Sequence, residues 1–271
     1  MNHKDITVIL LLFNTPDKLL KNFEVYKTFK VIILDQSNDK IFKKKLIKLL
    51  PNIQSYELAN NNLGFAKGIN KLVKKVKTKY FFCTQPDVNI DKKSIYNLKR
   101  TILKHKTNAI TVIPKINEAS NYSKNKKEII VKKMIGAIFL ASKKKFLEIG
   151  MFDEDFFFYW EDVDLSNRIN NSKYNIYLNK KSKAIHLGGL SSKMNSKNLF
   201  VRSLNFKFGE YLYLFKNKKL RVIKIIREPF LNLIYSFINI FLFDTKKIII
   251  KLGNFVGILK FYFFILRKSF K

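Results

Sequence analysis

The sequence predicts an open, mostly parallel α/β sheet followed by a helical tail. The first observation is an apolar run at residues 6–13, continuous as in a strand that is covered on both faces. The second is an alternation of short apolar runs with helix-like segments up to Asp87, which favours parallel strands joined by crossover helices. The third is a C-terminal stretch of long apolar runs with basic flanks, which favours helices.

The N-terminal half provides start and stop signals for its elements. Thr15 is expected to cap a helix with Pro16 at its first position and Asp17 in its first turn. Pro51 ends the second predicted helix. The predicted strands are residues 6–13, 31–34, 55–58 and 80–84, and the predicted helices are residues 16–26, 41–50 and 65–76.

Two of these strands lead into acidic residues. The second strand ends at Asp35, and the fourth is followed by Gln85-Pro86-Asp87. Ligands bind at the carboxyl ends of the strands in open α/β sheets, so we expect both acids on one ligand-binding rim. Asp87 is a candidate ligand of Mg²⁺ or Mn²⁺, although Pro-Asp is also a common turn former.

The alternation becomes irregular after Asp87. Residues 115–130 are polar, lack an apolar period and predict a surface loop, and a further helix is expected to begin near Glu161. The other predicted elements are helices at residues 94–105 and 143–149 and strands at residues 109–113, 134–141, 174–178 and 184–186.

Composition excludes several classes of protein. Hydrophobic residues make up 47% of the 271 residues, which is too many for a disordered chain. The single cysteine, Cys83, cannot form an internal disulfide, so a reducing cytosol fits better than a secreted disulfide scaffold. The apolar run at residues 6–13 is too short to span a bilayer and lacks a signal-peptide cleavage site. The net charge of +33 favours a polyanionic partner: nucleic acid, an anionic membrane or a phosphorylated substrate. An A/T-biased coding sequence, which enriches Lys, Asn, Ile and Phe together, is the alternative explanation of part of this charge.

The tail concentrates this charge beside apolar sequence. Residues 216–271 hold thirteen Lys and Arg against two acids, a net charge of +11. Residues 229–243 are uncharged, with three polar side chains on one helical face, and residues 252–266 form a second apolar run that is interrupted by Lys260. We expect a membrane-interface anchor. The alternatives are two helices packed on the catalytic domain, or helices inserted into the bilayer.

Residues 152–164 mix acidic and aromatic side chains more densely than any other segment. An acidic helix start beside a core aromatic cluster would explain such a segment structurally. A carboxylate beside aromatic rings is also what a base needs to deprotonate a hydroxyl of a sugar stacked on those rings. His186, which follows a predicted strand, is by itself as compatible with a structural role as with a ligand role.

The order and spacing of these motifs resemble family 2 glycosyltransferases of the GT-A fold, most closely the rhamnosyltransferase-like branch of bacterial surface-polysaccharide assembly. The resemblance extends from about residue 7 to residue 192. It rests on residues 6–14, residues 31–37 (VIILDQS), residues 62–70 (NLGFAKGIN), residues 85–87 (QPD) and residues 150–165 (GMFDEDFFFYWEDVDL), with His186 downstream and Gly136-Ala137 matching an acceptor-side strand.

The resemblance implies roles at the donor pocket. Asn14 and Asp35 would line the pocket for the base and ribose of a nucleotide. Asn62, Gly64 and Asn70 would shape the rest of the donor pocket. These residues match the family motifs position by position.

The resemblance also implies the metal and the catalytic base. Asp87 would bind Mg²⁺ or Mn²⁺ on the donor diphosphate, and His186 matches a further metal ligand in some relatives. Asp162 matches the catalytic base, with Glu161 beside it, and Trp160 would bind the acceptor. The implied reaction is direct displacement at the anomeric carbon, which inverts its configuration.

One position departs from the family pattern. Gln85 stands where the metal motif usually has an acid or Asn, two residues before its last Asp. A neutral oxygen donor predicts weaker metal affinity or a greater dependence on His186 and the diphosphate. It is also the only support for an alternative, an inactive family member that serves as a scaffold.

The sequence thus predicts a GT-A domain at residues 1–205 and a membrane-associating tail at residues 206–271. The favoured donor is dTDP-rhamnose, with UDP-galactofuranose and UDP-hexoses as alternatives. The expected acceptor is a glycan, lipid-linked, at the inner face of a bacterial cytoplasmic membrane. A nucleic-acid-binding protein is the alternative from another class. It explains the charge but not residues 152–164, so no nucleic-acid partner is expected.

Overall fold

A computed structural model describes residues 4–117, 127–191 and 195–269. The chain forms two compact units. The sheet unit comprises Met1–Asp153 and Asp162–Lys193, and the helical unit comprises Glu154–Glu161 and Met194–Lys271. Most of the acidic and aromatic segment at residues 152–164 therefore belongs to the helical unit. The residues directly before Glu154 and directly after Glu161 belong to the sheet unit. The functional boundary at residue 205 stays a prediction.

Nine strands in the described part of the sheet unit form one sheet. They are β1 (Ile6–Leu12), β2 (Lys30–Asp35), β3 (Ile53–Leu58), β4 (Tyr80–Thr84), β5 (Val88–Ile90), β6 (Ala109–Ile116), β7 (Glu128–Val131), β8 (Ile138–Ser142) and β9 (Asn175–His186). Their order is β3-β2-β1-β4-β8-β6-β9-β5, and β7 pairs with β9 outside this path.

The N-terminal half of the sheet is parallel. β1 pairs in parallel with β2, where Leu12 lies opposite Asp35, and with β4, and β2 pairs in parallel with β3. β8 then runs antiparallel to β4 and β6, whereas β6 and β9 are parallel. The predicted open α/β sheet is confirmed, and most of its parallel pairs lie where the sequence alternates regularly.

The described residues of the chain place five α-helices beside the sheet, and two of these helices begin at acidic caps. Asp39 accepts hydrogen bonds from the N–H groups of Ile41 and Phe42, and Asp91 accepts one from Ser94. The helices are α1 (Lys40–Leu49), α2 (Phe65–Lys75), α3 (Lys92–Lys104), α4 (Lys143–Glu148) and α5 (Glu161–Asn170).

The first predicted helix is wrong in type and in its cap. Asp17–Tyr26 is a 3₁₀ helix, and Pro16, not Thr15, stands at its N-cap. Leu19 N donates to Pro16 O at 3.0 Å, so a backbone carbonyl takes the bond expected of a side chain. The buried Thr15 Oγ1 has no hydrogen-bond partner within the described residues.

Four further differences lie in the second half of the sheet. β5 was not predicted, and β7 lies in the predicted loop at residues 115–130, of which residues 118–126 lie outside the described part. The two strands predicted at residues 174–186 are one strand, β9. β8 begins at Ile138, so Gly136 lies in a turn before the strand. The first two differences have a physical reason: β5 and β7 both pair with β9, which is distant in sequence, so local sequence does not reveal them.

Three long helices build the helical unit: α6 (Ser196–Lys216), α7 (Val222–Phe241) and α8 (Thr245–Ser269). Its core contains Phe156, Phe208, Tyr211, Leu212, Ile258 and Phe261. Asp155 forms ion pairs with Lys216 at 2.7 Å and Lys268 at 2.8 Å, which tie the segment Glu154–Glu161 to α6 and α8.

Two glycines bring α8 close to α6. A Cβ on Gly253 would lie 2.8 Å from Phe200 O, and a Cβ on Gly257 would overlap the Leu204 carbonyl. Only a residue without a side chain permits this approach of the two backbones. The spacing of four residues places both glycines on one face of α8.

Candidate active site

The end of β2 holds a fully buried carboxylate. Asp35 Oδ1 accepts hydrogen bonds from Ser37 N at 2.9 Å and from Ser37 Oγ, and Oδ2 accepts one from Tyr56 OH at 2.9 Å. Burial, and then the adjacent Asp35, raise the pKa of Tyr56, so its hydroxyl stays protonated and donates. These bonds fix the orientation of the carboxylate at the rim of the parallel sheet.

Gln36 connects this strand end to the turn before α2. Its Oε1 accepts a hydrogen bond from Leu63 N at 2.7 Å, and its Nε2 donates to Gly64 O at 3.5 Å. Asn62 Oδ1 accepts from Gly64 N at 2.9 Å, and Gly64 has a φ of 80°, which favours glycine. The structure therefore brings the predicted donor residues Asp35, Asn62 and Gly64 together.

Asn14 and Asn70 differ in what their side chains do. Asn14 follows β1 with a φ of 48° and is exposed beside the end of β2, since Gln36 N donates to Leu12 O at 2.9 Å. Asn70 is buried in α2; its Nδ2 donates to Phe152 O at 2.8 Å and its Oδ1 accepts from Phe152 N at 3.1 Å. The Asn70 amide therefore holds α2 to the start of the acidic and aromatic segment.

Asp87 lies after β4, and the end of β9 brings His186 to it. The carboxylate has no exposed surface, and His186 Nε2 lies 3.6 Å from Asp87 Oδ1. Oδ1 also accepts a hydrogen bond from Ser191 Oγ at 2.5 Å, and Oδ2 accepts one from Leu190 N at 3.1 Å. Burial alone would raise the pKa of Asp87, but His186 and these donors outweigh it and lower the pKa, so the carboxylate stays ionised.

The chemistry of this pair fits a divalent ion. His186 Nε2 is buried, and no described residue offers it a hydrogen bond. No group of three or more His, Cys, Asp or Glu that could hold a metal occurs in residues 4–117, 127–191 and 195–269. One carboxylate and one imidazole therefore leave most coordination positions to substrate oxygens and water, as is common for Mg²⁺ and for Mn²⁺ on phosphates.

Asp162 lies near the first turn of α5 and is held by backbone donors. Its Oδ2 accepts a hydrogen bond from Gly136 N at 3.0 Å, and its Oδ1 accepts one from Val163 N at 2.9 Å. Burial raises the pKa of Asp162, and these two N–H groups only partly oppose the effect. A carboxylate with a raised pKa is a stronger base than an exposed aspartate.

The turn before β8 connects Asp162 to the C-terminal end of β4. Gln85 N donates to Ala137 O at 3.0 Å, and the preceding residue, Gly136, donates to Asp162. Two adjacent residues thus bond to the segment of Asp87 on one side and to Asp162 on the other. The sheet unit therefore holds the candidate metal ligand and the candidate base at connected positions.

Trp160 and Glu161 belong to the helical unit, not to the sheet unit that contains Asp162. The Trp160 ring lies 5.7 Å from Phe206 and 5.4 Å from Tyr213, between ring centroids. Its backbone has a φ of 71°, as does Tyr159, which is unusual for aromatic residues. The Trp160 Nε1 is buried and has no hydrogen-bond partner in the part of the chain that is described.

Sequence reasoning did not identify three residues that shape the site: Tyr56, Gly136 as a donor, and Ser191. Gly136 and Ser191 act on carboxylates 26 and 104 residues away along the chain, and Tyr56 on one 21 residues away. The only available signal was Gly136 as part of a motif match. No local pattern distinguishes Tyr56 from other strand tyrosines.

Comparisons with known proteins identify a sequence family and a similar fold. The sequence model described as "Glycosyl transferase family 2" matches residues 7–165, more than half of the chain. No curated protein matches this chain.

Two solved structures are similar in fold. The structure of GalNAc-T7 with UDP, GalNAc and Mn²⁺ has a TM-score of 0.58 and 14% identity, over 77% of this chain and 48% of that chain. The structure of TarS from S. aureus has a TM-score of 0.54 and 11% identity, over 87% of this chain and 49% of that chain. This chain thus spans about half the length of either protein, and at such identity the likeness concerns the fold alone.

Proposed function

The chain belongs to the family 2 glycosyltransferases, and from this we propose that it transfers a sugar, with inversion, from a nucleotide diphosphate donor to a glycan acceptor. The observation that carries the proposal is the pair of bonds from the turn before β8, Gln85 N to Ala137 O and Gly136 N to Asp162 Oδ2. This connection keeps a candidate base close to a candidate metal-binding strand end. An in-line displacement needs these two functions on opposite sides of one anomeric carbon.

The donor would lie along the rim formed by the ends of β1, β2 and β4. Asp35, fixed by Ser37 and Tyr56, offers a carboxylate to the ribose and base, with Asn14 beside it. The Asn62–Gly64 turn, braced by Gln36, borders the same pocket. Asn70 would act by positioning Phe152, since its amide bonds to that backbone.

Asp87 and His186 are the residues that would hold Mg²⁺ or Mn²⁺ at the diphosphate. The bound ion would neutralise the charge that develops on the leaving diphosphate. The Mn²⁺ in the structure of GalNAc-T7, a protein of similar fold, supports the use of a divalent ion. The lowered pKa of Asp87 keeps the ligand ionised at neutral pH.

Asp162 would act as general base on the acceptor hydroxyl. Its two backbone donors hold the carboxylate in place, and burial raises its pKa, which strengthens the carboxylate as a base. The acceptor oxygen then bonds to the anomeric carbon as the bond to the diphosphate oxygen breaks, and the proton passes to Asp162. No covalent enzyme intermediate forms. Trp160 is the proposed acceptor contact, and Glu161 is the neighbouring acid.

The favoured substrates remain dTDP-rhamnose and a lipid-linked glycan of surface polysaccharide synthesis, with UDP-galactofuranose and UDP-hexoses as alternative donors. The net charge of +11 in residues 216–271 supports a lipid-linked acceptor at an anionic membrane surface, on the cytoplasmic face. Residues 1–205 would carry the chemistry and residues 206–271 the attachment.

A thermal-shift screen of nucleotide sugars, each with and without Mn²⁺, tests the proposal. The true donor should raise the melting temperature most, and more with Mn²⁺, because ligand binding stabilises the folded state by mass action. Product analysis with that donor should then show sugar transfer. If no nucleotide sugar or nucleoside diphosphate shifts the melting temperature, the assignment to glycosyl transfer is wrong.

A further inference from the structure

Helix α7 buries polar residues and exposes apolar ones, which is the reverse of a surface helix in a water-soluble protein. Its buried positions are Pro229, Asn232, Ser236 and Asn239. Except for Arg227, its exposed positions are apolar or aromatic, and five of them, Ile226, Phe230, Leu233, Phe237 and Phe241, recur at helical spacing. We call these five residues the α7 face. Their exposures run from 40% to 77%.

Two buried polar side chains of α7, Asn232 and Asn239, make hydrogen bonds within the helical unit. Asn232 Nδ2 donates to Glu228 O at 2.9 Å, and Asn232 Oδ1 accepts from Asn254 of α8 at 3.4 Å. Asn239 Nδ2 donates to Tyr235 O. Contact between helices through Ser, Asn and Gly is typical of helices whose outer faces lie in lipid, because lipid provides no hydrophobic drive for pairing.

Basic residues stand at both ends of the uncharged stretch 229–243. Arg221 and Arg227 are exposed on the N-terminal side, and Lys246 and Lys247 are exposed on the C-terminal side. The helical part of this stretch, residues 229–241, extends about 20 Å, which is short for a membrane core of about 30 Å. Cations at both ends therefore fit a helix that lies along one anionic leaflet.

Hydropathy alone selects α8 instead. Thr245–Lys268 is the one helix of the described residues that is long and apolar enough to span a membrane, a test that core helices of soluble proteins also pass. However, α8 contacts α6 through Gly253 and Gly257 and supplies Ile258 and Phe261 to the core of the helical unit. The arrangement of α7 is thus the more specific signal.

We propose that the α7 face inserts into the interface of an anionic phospholipid bilayer, with the helix axis along the membrane surface. The proposal specifies how the membrane surface named under the proposed function is bound. It rests on that function only for the reason why the protein would attach to a membrane. A second copy of the chain is the less favourable occupant. Pairing through this face would bring together two chains of charge +33 with their basic helix ends close to one another.

Vesicle flotation of the full chain tests the proposal. The probes are vesicles of equal parts phosphatidylglycerol and phosphatidylcholine, and vesicles of phosphatidylcholine alone. The test variant is Phe237→Glu with Phe241→Glu, at positions 63% and 77% exposed. The control is Ile41→Glu with Ile47→Glu on α1, at positions 69% and 45% exposed, which makes the same change in charge.

The wild type and the control should float with anionic vesicles and less with neutral ones. The α7 variant should bind at least about tenfold more weakly, since burial of two phenyl rings is lost. Flotation of the α7 variant like wild type would overturn the proposal. So would a wild-type dimer that the α7 variant abolishes while flotation is unchanged, because the α7 face would then join two copies.

A fluorescent label provides a second readout that does not depend on those variants. Cys83 is fully buried, so a thiol-reactive NBD dye should label only a cysteine introduced as Phe237→Cys or, as control, Ile41→Cys. Anionic vesicles should shift the emission of the label at 237 to shorter wavelength and leave the label at 41 unchanged. An equal response at both positions would contradict insertion of α7. Neither readout requires sugar transfer, so failure here is distinct from failure of the proposed enzyme.

Discussion

Helices α2 and α7 are both amphipathic, but they have opposite orientations. α2, in the sheet unit, buries Phe65, Ile69 and Leu72 and exposes Lys67 and Lys74. α7, in the helical unit, buries Asn232, Ser236 and Asn239 and exposes its phenylalanines. An apolar period therefore identifies the two faces of a helix but not which of them points inward. The surroundings of each unit determine that direction.

The two units also differ in the use of buried polar groups. In the sheet unit they surround a candidate reaction centre, where Asp35, Asp87 and Asp162 keep fixed orientations. In the helical unit, Asn232 joins one helix to another. Loss of a polar group should therefore reduce activity more than stability in the first unit, and stability more than activity in the second.

The largest expected effect is at Asp162. Asp162→Asn keeps the shape of the side chain and its place beside Gly136 but cannot accept the proton, so turnover should fall about 10²–10⁴-fold. Donor affinity should change little, whereas the melting temperature should fall modestly, because the Asn amide can accept only one of the two backbone hydrogen bonds. Glu161→Gln is the matched comparison, measured as sugar transfer at saturating donor. An inactive Glu161→Gln beside a near-normal Asp162→Asn would exchange the two roles.

The pH dependence of turnover sharpens this assignment. A base must be unprotonated, so turnover should be level above the pKa of Asp162 and fall about tenfold per pH unit below it. Burial raises that pKa, so the fall should begin at higher pH than an ordinary aspartate would give. The measurement is turnover against pH for the wild type and for Glu161→Gln. A fall with the midpoint of an exposed aspartate would contradict the effect of burial on Asp162.

Gly136→Ala should have an intermediate effect. The new methyl group would approach Phe65 Cε1 at 3.3 Å and Asp162 Cβ at 3.4 Å and displace the base slightly. Because small misplacement of a catalytic group slows reactions, turnover should fall about tenfold with donor affinity retained. Ala137→Gly adds no atom and keeps the carbonyl that binds Gln85, so it is the control. Equal losses in both variants would mean that the turn, not Asp162, is disturbed.

The smallest effect is expected in the helical unit. Asn232→Ala removes the contact with Asn254 and should lower the free energy of unfolding by about 0.5–1.5 kcal/mol. Turnover with a water-soluble acceptor should stay within about twofold of wild type, since Asn232 lies in the α7–α8 contact. Denaturant unfolding and initial rates measure the two quantities. A large loss of turnover at unchanged stability would contradict the contrast between the units.

Local patterns predicted those parts of the fold that depend on local sequence. The buried runs located β1, β2 and β4, and with them the strand ends at Asp35 and Asp87. They did not predict β5 and β7, because these short strands depend on β9. The 3₁₀ helix at Asp17–Tyr26 was missed because a proline start is compatible with either helix type.

The site was predictable as a set of residues but not as a set of contacts. Motif order placed Asp162 among the candidates, but its raised pKa depends on burial and on Gly136, which no spacing rule reveals. The grouping of Glu154–Glu161 with α6 and α8 depends on ion pairs of Asp155 with Lys216 and Lys268. Contacts across so many residues arise only from the folded chain.

In the proposed mechanism, the sheet unit binds a nucleotide diphosphate through a divalent ion held by Asp87 and His186. Calorimetric titration of the full chain with the diphosphate selected by the thermal-shift screen, with and without Mn²⁺, tests it most directly. Wild type should bind more tightly with Mn²⁺, and Asp87→Asn should lose that gain while retaining the metal-independent part of binding. Equal enhancement by Mn²⁺ in wild type and Asp87→Asn would contradict the account.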